Sequence, residues 1–135
     1  MKKVLLLCIL FSQLNTIAQD PKEILQSIYF GGGSWYIGGE QAGDLKEIVN
    51  SIKNLPYYEI TVTSHTDNIG GKEFNAYLSR MRSEAAMRLL ERFGVNPETV
   101  KYKDFGEEAP VFDNSTITGK LRNRRVDILF KPIQF

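Results

Sequence analysis

The chain has 135 residues, of which 17 are Lys or Arg, 16 are Asp or Glu and one is His, for a formal net charge of +1. So even a balance argues against nucleic acid or an anionic membrane surface as the main partner. One cysteine and one histidine leave no disulfide framework and too few ligands for a thiolate or histidine-rich metal site, so no metal or other cofactor is expected.

The chain opens on Met1-Lys2-Lys3, a short basic stretch. An unbroken apolar run from Val4 to Phe11 follows, then a more polar segment to Ala18, where Thr16 and Ala18 make a small-x-small signal. This is the pattern of a secretory signal peptide over residues 1–18, cleaved before Gln19. The run is too short to span a bilayer, which takes about 20 apolar residues. Cys8 lies inside the apolar run and not after it, so lipidation is not expected and the cysteine leaves with the leader. Residues 19–135 then form a single mature domain, without a second apolar segment to act as an integral membrane anchor. That mature part has 15 basic and 16 acidic residues.

Ser27 to Ile37 reads as a strand interrupted by Gly31-Gly32-Gly33. Leu45, Ile48, Val49 and Ile52 predict a helix over Asp44 to Leu55, stopped by Pro56. Tyr58 to Thr63 alternates and is rich in β-branched and aromatic residues, so it predicts a strand. A polar turn, Ser64 to Asn68, and Gly70-Gly71 lead into a long helix. Its stripe is Phe74, Leu78, Met81, Ala85, Leu89 and Phe93, with Gly94 as C-cap. Val100 to Phe105 is a short strand, and Asn114 or Ser115 can cap a helical turn toward Arg122. A last strand carries Val126, Ile128 and Phe130 and ends at Pro132. Helices between strands predict crossovers and some parallel pairing, hence a two-layer α+β domain.

No catalytic constellation emerges. His65 is the only imidazole and lacks a nucleophile elbow nearby, and Glu107-Glu108 lack a partner for general base work. The Gly31–Gly33 run has neither the lysine of a P-loop nor the spacing of a dinucleotide fingerprint. His65 reads better as a strand-end residue bonded to neighbouring backbone. What remains is a pair of opposite charges, Asp67 at a strand exit and Arg82 in the long helix, which the intervening loop can bring to one side of a cleft. By spacing alone each has a second reading, Asp67 as a turn residue and Arg82 as a solvated helix-face charge.

Asp67, Gly70, Asn75, Leu78, Ser79 and Arg82 form the pattern Thr-Asp-x-x-Gly-x-x-x-x-Asn-x-x-Leu-Ser-x-x-Arg. Here the chain resembles the OmpA-like C-terminal domain family, the module shared by OmpA, the Pal lipoprotein and the MotB stator protein. Phe30, Gly33, Ser34 and Ile37 fit its first-strand pattern, and Phe105-Gly106-Glu107 with Pro110 fit its glycine–glutamate–proline loop. Asn114, Thr116, Gly119 and Asn123-Arg124-Arg125-Val126 fit its terminal signature. The resemblance covers about residues 28–130.

It implies a βαβαβ(α)β domain, a mixed four-stranded sheet with helices on one face. It also implies a non-catalytic module that binds peptidoglycan through the diaminopimelate of the stem peptide and anchors an envelope component to the wall. Asp67 would hold the ligand ammonium and Arg82 its carboxylate, with Asn75, Arg124, Thr66 and Gly31 completing the site. Arg125 would have a structural or surface role, and Asn123 would bond the loop backbone. Peptidoglycan and outer-membrane or envelope-complex proteins are the partners implied, and the periplasm, at the cell wall, is the place. The alternative is a protein-interaction or scaffolding domain on the same fold. Ser64 and Gly31 depart from the family pattern, which has glycine and an acidic or polar residue there.

Overall fold

A computed structural model describes residues 21–135, so the expected leader lies outside the described residues. Strand β1 spans Ile24–Tyr29, helix α1 Gly39–Ser51, β2 Tyr58–His65, α2 Lys72–Arg92, β3 Val100–Asp104, α3 Ile117–Asn123 and β4 Arg125–Pro132. The strands form one mixed sheet in the order β1-β4-β2-β3. β4 lies antiparallel to both β1 and β2, and β2 lies parallel to β3. A parallel pair needs a crossover, and α2 is that crossover.

Alternation along the strands sorts the sheet into two faces. Ile60 faces Phe130 across the ladder and Val62 faces Ile128, all buried, while Ile28 of β1 lies opposite Val126. These side chains meet Leu45 and Val49 of α1 and Ala86 and Leu90 of α2 in one core. Thr61, Thr63 and Leu129, on the other face, are only partly buried. The domain is therefore two-layered α+β, as its pattern predicts.

Several boundaries differ from expectation, among them that of β2, which runs on through Ser64 and His65 where a turn was expected, and that of β3, which stops at Asp104. β1 begins at Ile24, because β4 continues far enough to pair Ile24 with Phe130, and it ends at Tyr29, ahead of the glycine run. Gly31–Ser34 is instead a turn in which the Ser34 N–H donates to the Gly31 carbonyl at 3.2 Å. Helix α1 is shifted toward the N-terminus and stops at Ser51, and Pro56 sits in a 3-10 turn over Leu55–Tyr57. A proline disfavours helical geometry in the residue before it. The cap of α3 is Thr116, whose hydroxyl accepts from the Gly119 N–H. Gly94, with φ 96°, does end α2.

The buried side of α2 is the larger correction. Leu78 is buried as expected, but Phe74 is exposed and Met81, Ala85, Leu89 and Phe93 are only partly covered. The buried line is Asn75, Leu78, Ser79, Arg82, Ser83, Ala86 and Leu90. The first half of the helix thus turns polar side chains inward, where backbone carbonyls and carboxylates receive them. Only its second half is apolar inside.

This phase has a measurable consequence. Leu90→Ala should cost about 2–5 kcal/mol, the usual range for a core leucine, and Leu89→Ala clearly less. Urea unfolding of the two variants checks it, and a Leu89→Ala loss equal to or above that of Leu90→Ala would place the buried face elsewhere.

Candidate ligand-binding site

The sheet register builds the site. Arg125, at the start of β4, pairs with Tyr29 at the end of β1 and with His65 at the end of β2. The segments just beyond these three positions, Phe30–Ser34, Thr66–Asp67 and Arg124, therefore converge at one end of the sheet. Backbone bonds lock the convergence: Phe30 N–H to the Arg124 carbonyl at 2.9 Å and Thr66 N–H to the Gly106 carbonyl at 2.8 Å. Gly106 has φ 55°, and a side chain there would start 3.3 Å from the Ala76 backbone nitrogen. The Phe105–Glu107 turn thus rests directly on the start of α2.

Arg82 lies at the centre and is 0% exposed. Its Nε donates to the Ser34 carbonyl at 2.9 Å, Nη2 to the Gly31 carbonyl at 3.0 Å and Nη1 to the His65 carbonyl at 3.3 Å. The guanidinium also sits 4.9 Å from the centre of the Phe30 ring, a cation–π contact. Burial pushes its pKa down to about 10, the Asp67 charge opposing and the Arg124 charge adding to the shift. It still carries its proton at neutral pH. A solvated helix-face charge, one of the two readings that spacing allowed, is excluded.

Asp67 is 5% exposed, and its direct partner is Arg124, not Arg82. Arg124 Nε donates to Asp67 Oδ2 at 2.5 Å, and the Ile69 N–H donates to Oδ1 at 3.1 Å. Asp67 is thus both a turn residue and half of an ion pair. Arg124 keeps part of its surface open, and its Nη1 and Nη2 have no hydrogen-bond partner among the described residues. Asn75 is fully buried and donates from Nδ2 to Glu107 Oε2 at 2.7 Å. A carboxylate only accepts, so Glu107 fixes which end of the amide faces away. Asn75 Oδ1, Thr66 Oγ1 and Ser64 Oγ are buried without a hydrogen-bond partner among the described residues. Gly31 contributes its carbonyl, held by Arg82.

The neighbours are structural. Arg125 pairs with Asp127 at 3.0 Å and packs on the Phe112 ring. Asn123 holds the loop by accepting from the Phe112 N–H and donating to its carbonyl. His65 stacks on Phe105, with Nδ1 3.1 Å from the Ala109 carbonyl. Burial first, then the Arg125 charge, lowers its pKa below the ordinary 6.5.

A family model described as the OmpA family matches residues 29–124. The chain belongs to the OmpA family. It is 38% identical over 114 residues to motility protein B of Bacillus subtilis, covering 81% of this chain and 44% of that one. The "peptidoglycan-binding protein ArfA" of Mycobacterium bovis is 29% identical over 85 residues, 63% of this chain and 26% of the relative. The crystal structure of the peptidoglycan-associated lipoprotein from Burkholderia pseudomallei superposes with a TM-score of 0.72 at 28% identity, covering 78% of this chain and 89% of that one. The chain spans roughly a quarter to a half of the length of the curated relatives it matches first.

Within this OmpA-family domain, sequence reasoning missed the Asp67–Arg124 pair, the Glu107 hold on Asn75 and the three carbonyls on Arg82. One signal was available for the last: Asn75, Ser79, Arg82 and Ser83 recur at helical spacing, marking a polar side of α2 next to Leu78 and Ala86. Arg82→Ala should destabilise the domain by more than about 3 kcal/mol, since it strands buried acceptors and opens a cavity. Arg82→Lys should recover only part of that loss. Urea denaturation decides it, and a loss within about 0.5 kcal/mol, the usual range for a surface change, would show that the clamp is not structural.

Proposed function

We propose that this domain is a non-catalytic peptidoglycan-binding module that reads the free amino-acid end of diaminopimelate in the stem peptide. It thereby anchors an envelope component to the wall, in the periplasm. The observation that carries this reading is the free fork of Arg124 at the end of the sheet. Arg124 gives Nε to Asp67, Arg82 beside the pair gives its donors to carbonyls, and Glu107 is taken up by Asn75. The two remaining nitrogens of Arg124 are left for a ligand carboxylate. The unengaged Nη1 and Nη2 of Arg124 can meet that carboxylate in the forked geometry arginine favours.

The ligand ammonium then goes to the lone pairs of Asp67 that Arg124 and Ile69 leave free. A zwitterion enters without adding net charge, which avoids leaving an ion unpaired in a low-dielectric site. The partnerless acceptor of Asn75 and the hydroxyl of Thr66 are further groups for it, since a buried polar atom left without a partner costs about 1–3 kcal/mol. The names of two relatives, a peptidoglycan-binding protein and a peptidoglycan-associated lipoprotein, point to the same polymer.

The second reading is a protein-interaction domain on the same fold. The observation on its side is that Arg82 already spends donors on Gly31, Ser34 and His65.

Pull-down with purified, protein-free sacculi separates the two. Asp67→Ala and Arg124→Ala should each weaken binding about tenfold or more, since hydrogen bonds to charged groups are worth about 1.5–3 kcal/mol. The double variant should lose less than the sum, because both side chains act on one ligand. Folded Asp67→Ala and Arg124→Ala proteins that bind sacculi like wild type would leave the protein-interaction reading in place.

A further inference from the structure

The turn that Arg82 holds continues into a cluster of exposed aromatic side chains. Trp35 is 38% exposed, Tyr36 78% and Tyr77 of α2 43%. Trp35 and Tyr77 stand edge to face, with centroids 6.3 Å apart and planes at 87°. In such a pair one ring keeps both of its faces free of the other. Arg80 lies 5.7 Å from the Tyr77 centroid. The base of the cluster is fixed: Arg82 grips the Ser34 and Gly31 carbonyls, and the Tyr36 N–H donates to Ser34 Oγ at 3.1 Å. Trp35 is the next residue after a carbonyl bonded to Arg82, so the aromatic pair adjoins the turn that Arg82 grips.

We infer that this face is a glycan subsite, a platform for the N-acetylhexosamine strand to which the stem peptide is bonded. The inference rests on the peptidoglycan reading above and extends it from the peptide to the sugar. A pyranose ring shows one face of C–H bonds, which packs on an aromatic face, and a rim of hydroxyl and acetamido groups. The indole N–H, the Tyr77 hydroxyl and the Arg80 guanidinium provide partners for that rim, whereas an aliphatic protein-docking patch would provide none. An extended chain covers at most about 3.5 Å per residue, so a stem residue held at Asp67 confines its sugar to roughly 10 Å around the charged pair.

Trp35 is the chain's only tryptophan, so its emission reports this face alone. The full chain is titrated with three probes: chitotetraose, a diaminopimelate-containing stem tripeptide, and the same tripeptide joined to its disaccharide. Trp35 emission should change with the two sugar-bearing probes and stay unchanged with the bare tripeptide. The disaccharide–tripeptide should bind about three- to tenfold more tightly than the tripeptide, the worth of one or two aromatic contacts. Tyr77→Ala, and Trp35→Ala followed by calorimetry, should erase that gain while leaving tripeptide affinity as it was. Equal affinity for the two peptides with no Trp35 response to either sugar overturns the platform and returns the face to a protein partner. A chain that binds chitotetraose through Trp35 but no stem tripeptide keeps the platform and sinks the zwitterion reading instead.

Discussion

A guanidinium with no exposed surface, gripping three backbone carbonyls, is the contact on which the functional end of this domain depends. Taking an ion out of water costs several kcal/mol even after relaxation. Arg82 offsets that cost with bonds to Gly31, Ser34 and His65 and with the Phe30 ring beneath it. The carbonyls belong to two segments far apart in sequence, the turn after β1 and the end of β2. Arg82 on α2 therefore ties the helix layer to two strand ends at once. Neither a lysine, with one point charge, nor a neutral side chain could hold those directions together.

What this tie positions is a second charged pair. Asp67 and Arg124 are brought together by the placement of β4 between β1 and β2, which sets the end of one strand beside the start of another. The site is thus a property of topology as much as of composition. Each of its charges comes from a different element, and the backbone bonds Phe30–Arg124 and Thr66–Gly106 hold those elements in register. Because the supports are strands and a long helix, the charges are held in place, and the proposed binding would spend little free energy on ordering them.

How much of this could be read from residues alone follows the physics of each part. The elements and their order were legible because hydrophobic period and turn residues act locally: Ile60 and Val62 alternate and Gly94 caps. The residues of the candidate site were named through the linked pattern from Asp67 to Arg82, carried by resemblance. Its internal wiring was not. Whether Asp67 meets Arg82 or Arg124 depends on a non-local strand register, which no local spacing encodes. The face of α2 was misjudged for a related reason. Period reasoning assumes that apolar residues go inside, and here Asn75, Ser79 and Arg82 displace Phe74 and Met81 because partners await them within the fold. The glycine run after β1 had a similar outcome, forming the turn that Arg82 grips where a continuing strand was expected.

The Asp67–Arg124 pair beside Arg82 is proposed to read a zwitterion, an ammonium and a carboxylate on the same carbon. The most direct test changes the ligand and leaves the protein alone. Stem peptides identical except for diaminopimelate or lysine at the cross-linking position differ in that one carboxylate. Calorimetric titration of the wild-type domain should find the lysine peptide bound at least about tenfold more weakly, the worth of one charge-assisted contact. Equal affinity for the two peptides would contradict the account, because the guanidinium groups would then have no carboxylate to read.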